Sequence, residues 1–226
     1  MAKTGLDPAT AELLHAAIHD LKGPASRIRL GAQLLSRNNS GLDEDSRMLL
    51  RHIEDSASAL DVVAHGLRDY VDICSRPIDR EPVAVAQLAD AAKQTLFNEI
   101  AQSGAEVTHA TRRVLDADRF LMGWVMQELL TNAIRFRGDS APRVHIADGL
   151  GGPGGWYVSI VDNGRGIEPR LAKRVFQPFK KLSAGGSGAG LGLAICRQVI
   201  QSHGGEIWLE AREQGADFRF FLGMEE

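Results

Sequence analysis

The chain has few of the features that settle a protein's class at once. It holds two cysteines in 226 residues, Cys74 and Cys196. Two thiols make no disulfide framework, and a reducing compartment suits them. Each reads as a small apolar filler. No apolar run approaches the ~20 residues that span a bilayer. No signal-peptide pattern opens the sequence, so a cytoplasmic location is expected. Neither sign of charge dominates: Lys and Arg total 26, Asp and Glu 29, and the net charge is -3. That leaves no basic footprint for nucleic acid. There is no internal repeat. His15 and His19 stand one helical turn apart and would bind zinc only with a third ligand, which is not evident.

What remains is ordinary globular material, 44% hydrophobic and 24% charged, enough for one large domain or two modest ones. Residues 9–38 carry apolar positions at Leu14, Ile18, Leu21, Ala25, Ile28, Ala32 and Leu35. The steps alternate four and three, a heptad seam. Asn38-Asn39-Ser40-Gly41 breaks it. A second series follows at Leu50, Ile53, Ala57, Leu60, Ala64, Leu67 and Val71. Two heptad helices joined by a short turn predict a helical hairpin. A lone hairpin leaves much of its apolar stripe wet, so two are expected to pair as a four-helix bundle, a homodimer through residues 9–73. Pro77 and Pro82 then end the helix and suit a linker. Beyond it, helices are predicted near 85–103, 118–137, 169–175 and 190–203. Strands are predicted near 106–110, 143–148, 156–162, 206–211 and 217–222. This mixture predicts an α/β (α+β) sandwich, one sheet face covered by helices. The five glycines between Gly149 and Gly155 read as a hairpin loop.

Four short motifs fall in order along the last hundred residues: Gln127-Glu128-Leu129-Leu130-Thr131-Asn132-Ala133, Asp162-Asn163-Gly164-Arg165-Gly166, Phe176-Gln177-Pro178-Phe179 and Gly188-Ala189-Gly190-Leu191-Gly192-Leu193. Together they resemble the N, G1, F and G2 boxes of the histidine-kinase ATP-binding domain, in the superfamily that also holds gyrase, Hsp90 and MutL. Upstream, His19-Asp20-Leu21-Lys22-Gly23-Pro24 resembles the phosphoacceptor box of a sensor histidine kinase. The wording of these boxes, with Pro142-Arg143-Val144-His145, is most similar to kinases of the bacterial phytochrome type. The resemblance runs from about residue 10 nearly to the end. It implies the following layout: an extension 1–8, a dimerisation and phosphoacceptor hairpin 9–74, a linker 75–82 and an ATP-binding domain 83–226.

The resemblance also assigns roles. Asp162 takes the adenine amine, for which a carboxylate is a good acceptor. Gly164 and Gly166 let backbone pass close to the base. Asn132 is the Mg²⁺ ligand, with Glu128 one turn earlier on the same face as a second ligand or catalytic carboxylate. Arg135 is a phosphate contact, and Phe176, Phe179 and Leu191 belong to the nucleotide site; Lys180 and Lys181 read as a solvated loop end or as further phosphate contacts. Gly188, Gly190 and Gly192 lead into a helix and bring N–H groups and the positive helix end to phosphate. Relatives often carry Thr or Ser where Ala189 stands, so one hydroxyl contact is missing. Residues 180–187 read as a short lid. His19 is the acceptor, beside the seam and open to solvent, and Asp20 can hold one ring N–H so that the other nitrogen attacks. Pro24 is expected to bend the helix below His19. Gly23 lacks the Asn or Thr side chain that relatives use in dephosphorylation.

The implied partners are ATP, Mg²⁺, a second copy of the chain and a response-regulator receiver domain, with any sensor domain supplied elsewhere. Two other readings compete. One is an ATPase clamp of the gyrase or Hsp90 sort, in which Glu128 activates water. The other is a dimeric phosphotransfer scaffold with a weakened ATP site.

Overall fold

The computed structural model describes residues 6–39, 41–181 and 188–223; the segment read as a lid lies mostly outside them, as does most of the N-terminal extension. The chain opens with α1 (Pro8–Asn38) and α2 (Glu44–Cys74). Asp7 caps α1 by accepting from the Thr10 N–H, and Asp43 caps α2 by accepting from that of Ser46. These caps satisfy N–H groups that a helix start leaves orphaned. Pro24 lies inside α1, yet the helix runs through it.

The predicted seam divides in two. Ala11, Ile18, Ala25 and Ala32 of α1 are buried against Ala57, Ala64 and Val71 of α2. Their spacing of seven puts small side chains at the helix contact, where they allow close approach. The alternate seam positions face water in the single chain: Leu21 is 47% exposed, Ile28 52% and Leu35 58%. Ion pairs and polar contacts flank the small-residue contact, with Arg29 2.7 Å from Asp61 and Lys22 3.1 Å from His65.

The rest of the chain builds β1 (Glu81–Ala84), α3 (Val85–Thr95), α4 (Phe97–Ser103), β2 (Glu106–Ala110), β3 (Val114–Ala117) and α5 (Arg119–Arg135). It continues with β4 (Arg143–Leu150), β5 (Trp156–Asp162), α6 (Gly192–Ser202), β6 (Glu206–Glu210) and β7 (Asp217–Phe221). Among the described residues, β1 and β3 pair in a small ribbon and the other strands form one sheet, ordered β2-β4-β5-β7-β6. β2 and β4 are parallel and the remaining pairs antiparallel. One face of the sheet buries Ile146, Val158, Ile160, Phe218 and Phe220 in the same core as α3, α5 and α6. The predicted sandwich is therefore present. No helix among the described residues is long and apolar enough to cross a membrane.

Several local predictions need correction. The helix predicted over 85–103 breaks at Leu96, which ends α3 and starts α4. The helix predicted at 169–175 is a 3₁₀ turn, Pro169–Leu171, followed by turns. β1 and β3 were not predicted. They are four residues long and pair with each other, a contact that local periodicity cannot show, while Val83, Leu115 and Ala117 are buried in the main core. β1 begins inside the segment read as a linker, and Ile73 and Cys74 at the end of α2 are buried in the core of the sheet.

Candidate nucleotide site and phosphoacceptor

α5 positions the first half of the site. Its N-cap is Asp118, which accepts from the Leu121 N–H at 3.0 Å. Val125, Leu129 and Ala133 are buried and hold the helix to the sheet. Glu128 and Asn132, at i and i+4, share another face. The Asn132 amide donates to Glu128 Oε1 at 3.0 Å, so its NH₂ is engaged by the carboxylate and its carbonyl oxygen is the group left to accept. Burial pushes the Glu128 carboxyl above the usual range, opposed by Arg135 and by the Asn132 bond. α6 begins hard against this pair. A Cβ on Gly192 would stand 1.9 Å from Glu128 Oε1, so a larger residue there would displace the Glu128 carboxylate.

The second half comes from the end of β5. Asp162 Oδ1 accepts from the backbone N–H groups of Gly164 at 2.8 Å and Ala216 at 3.0 Å. Those two bonds fix the carboxylate and leave its other oxygen for a ligand. Burial raises this carboxyl too, and the two N–H donors oppose the rise. A carboxylate held partly desolvated is a strong acceptor for an amine in a dry pocket.

Between these halves lies a cleft of about 1050 Å³. Of the residues singled out from sequence, it takes in Glu128, Asn132, Arg135, Asp162, Gly166, Lys181, Gly188, Gly190, Leu191 and Gly192. The Gly188 backbone lies over Arg135, whose guanidinium would be 3.4 Å from a Cβ at that glycine. Three others do not line the cleft. Gly164 is buried behind Asp162 and acts through its N–H. Phe176 is buried in the core, edge-to-face on Phe218. Phe179 is 52% exposed, and its N–H bonds the Gly190 carbonyl at 2.9 Å, tying the third motif to the fourth. Sequence reading missed Trp124, Arg165, Ile167 and Phe218, which also line the cleft. Arg165 lay inside a motif already noted; the rest carry no local signal.

His19 stands apart on the hairpin. Its side chain is 84% exposed, and Nδ1 is 3.4 Å from Asp20 Oδ1. A ring that turns Nδ1–H toward Asp20 presents the Nε2 lone pair to solvent. His15 instead faces α2, with Nε2 3.3 Å from Asp72.

Comparison with known proteins fits this geometry. Residues 117–226 match the family described as histidine kinase-, DNA gyrase B-, and HSP90-like ATPase. Cyanobacterial phytochrome A of Nostoc sp. is 32% identical over 96% of this chain, and phytochrome-like protein Cph1 of Synechocystis sp. is 31% identical over 91%. The chain spans only 29% and 28% of those proteins. Histidine kinase ThkA, solved in complex with the response regulator TrrA, superposes with a TM-score of 0.61 over 92% of this chain and 60% of that one, at 24% identity. A heptad hairpin bearing an exposed histidine, followed by this ATPase fold, places the chain in the family of sensor histidine-kinase catalytic cores.

Proposed function

We propose that the chain is an ATP-dependent protein-histidine kinase that phosphorylates its own His19. The observation carrying this reading is the cleft that gathers Asn132, Asp162 and the Gly188–Gly192 turn, in one chain with an exposed histidine beside a carboxylate. Asp162 receives the adenine amine. The glycine turn at the start of α6 offers N–H groups to phosphate. The Asn132 carbonyl oxygen, aimed by Glu128, fits Mg²⁺, which takes oxygen ligands and keeps several waters. Bound there, the ion would neutralise phosphate charge.

His19 Nε2 attacks the γ-phosphorus while Asp20 holds Nδ1–H. The N–P bond forms, the P–O bond to ADP breaks, and ADP leaves with the electron pair. The protein supplies positioning and charge neutralisation. The phosphohistidine then serves an aspartate of a response regulator, the class of partner seen with ThkA. In this reading the hairpin of residues 9–74 presents the acceptor, 83–226 binds nucleotide and 75–82 joins them. Two hairpins pair through Leu21, Ile28 and Leu35.

Incubation with γ-labelled ATP and Mg²⁺ tests the reading. Acid-labile label retained on the protein is expected. Free phosphate with no retained label would instead favour an ATPase in which Glu128 activates water, and absent nucleotide binding would favour a scaffold.

A further inference from the structure

If the kinase reading holds, the nucleotide site must serve either the histidine of its own hairpin or that of a partner. Three separate features bear on the choice. The first is the cleft itself. Lys22, Ser26 and Arg29 of α1, and His65 of α2, line the same cavity as Asn132, Asp162 and Gly190. His19, Lys22 and Ser26 stand at i, i+3 and i+7, on one face of α1. The acceptor is therefore about 4.5 Å along the helix axis from a residue that already forms the cavity wall.

The second is a contact between α2 and the glycine turn. Gly66 sits inside α2, where glycine is disfavoured relative to alanine. A Cβ there would stand 2.5 Å from the Ala189 Cβ and 3.3 Å from Leu191 Cδ1. The absent side chain lets the turn lie directly on the helix. Ala189, where relatives often have Thr or Ser, is small for the same reason: a larger group would meet α2.

The third is the joining segment, which is pinned. The Asp79 N–H donates to Asp118 Oδ2 at 3.1 Å, and Arg76 lies 3.9 Å from the same oxygen. Asp118 is only 2% exposed and also caps α5. Its own N–H donates to His203 Nε2 at 3.0 Å, and His203 Nδ1 bonds the Val199 carbonyl at 2.8 Å. One buried hub thus ties the segment after α2 to the start of α5 and the end of α6, the two helices that carry the site. Swinging the domain toward a partner hairpin would strip partners from a buried carboxylate.

We infer that phosphoryl transfer runs within one protomer, the nucleotide site being held to its own hairpin by the Gly66–Ala189 contact and by the joining segment anchored on Asp118. The bond formed is from His19 to the γ-phosphorus, and the bond broken is to ADP, both on one chain.

Mixed dimers of the full chain test this. One protomer carries His19→Gln and the other Asn132→Ala, each with its own tag, and dimers bearing both tags are isolated before labelling. Wild type should label, and the mixed dimer should carry no more label than either variant alone. Label on the Asn132→Ala protomer would overturn the inference. Should wild type sediment as a monomer and still label, transfer within a chain is established by that alone. A wild type that takes no label fells the kinase reading itself, and this inference with it.

Gly66→Ala gives a second arm. Alanine strengthens an isolated helix, so circular dichroism should show the hairpin intact. The labelling rate should fall at least roughly tenfold, since a misplacement of ~1 Å can cost ~100-fold. An unchanged or raised rate would overturn the docking contact.

Discussion

His19 and His15 lie one helical turn apart, and their surroundings separate their roles. His15 is engaged with Asp72 across the hairpin, while His19 is open to solvent with Asp20 at its Nδ1. His19→Gln should abolish labelling and leave ATP binding intact; His15→Gln should label nearly as wild type. Full labelling of the His19 variant would refute the assignment. At the adenine end, Asp162→Asn replaces an acceptor-only group with an amide. The lost charge-assisted bond, worth ~1.5–3 kcal/mol, predicts roughly 10- to 100-fold weaker ATP binding by calorimetry. Glu128 carries a pH signature. Its carboxyl stands above the ordinary range because it is buried. The folded state therefore holds that proton more tightly than the unfolded chain, and stability is lost as pH rises through the raised range. Glu128→Gln should melt higher than wild type at neutral pH, and the gap should close as the pH falls below ~4. A gap that widens in acid would contradict the buried, ionised carboxylate.

At the scale of elements, the hairpin rests on a line of small residues. Ala64 is 2% exposed and lies at the contact of the two helices. Ala64→Leu would overpack that contact at a cost of ~1–3 kcal/mol, and thermal melting followed by circular dichroism should show the loss. In the sheet domain, the long strands and α5 and α6 were predictable because each carries its own pattern. β5 is a largely apolar run, Trp156 to Val161, broken only by Ser159, and α6 a helical one behind a glycine turn. The ribbon of β1 and β3 had no such pattern. Glu81-Pro82-Val83-Ala84 and Val114-Leu115-Asp116-Ala117 become strands by pairing with each other across the intervening residues 85–113. The break at Leu96, which ends α3 and starts α4, carries no glycine or proline to mark it in the sequence.

For the whole molecule, the exposed half of the seam is the main prediction. Leu21, Ile28 and Leu35 follow one another at steps of seven and face away from α2. Stripes of this kind are covered by partners in stable bundles. Ile28→Asp places a charge that costs little on a lone hairpin, since that position is 52% exposed. In a paired bundle the same charge is buried without a partner, at several kcal/mol. Analytical ultracentrifugation should show a wild-type dimer and a monomeric variant of undiminished helicity. A wild-type monomer at micromolar concentration would refute the bundle, and a dimeric variant would move the interface elsewhere.

The sequence by itself determined the parts. Heptad steps dictate two helices, and the four boxes name the fold of the rest, because a base, a phosphate chain and a tight turn each demand particular residue types at short spacing. It also singled out Asp162, Asn132 and the glycines of the α6 turn, which the fold gathers around one cleft. Only the tertiary structure decided which half of the seam is covered within the chain. It alone showed that Phe176 supports the core instead of framing the cleft, and that Lys22 and His65 of the hairpin wall the same cavity as Asn132. Asp118 and His203 look like an ordinary cap and an ordinary histidine in the sequence. Their junction joins positions 85 residues apart. Such contacts arise when burial forces distant polar groups to satisfy one another, and no local pattern records them.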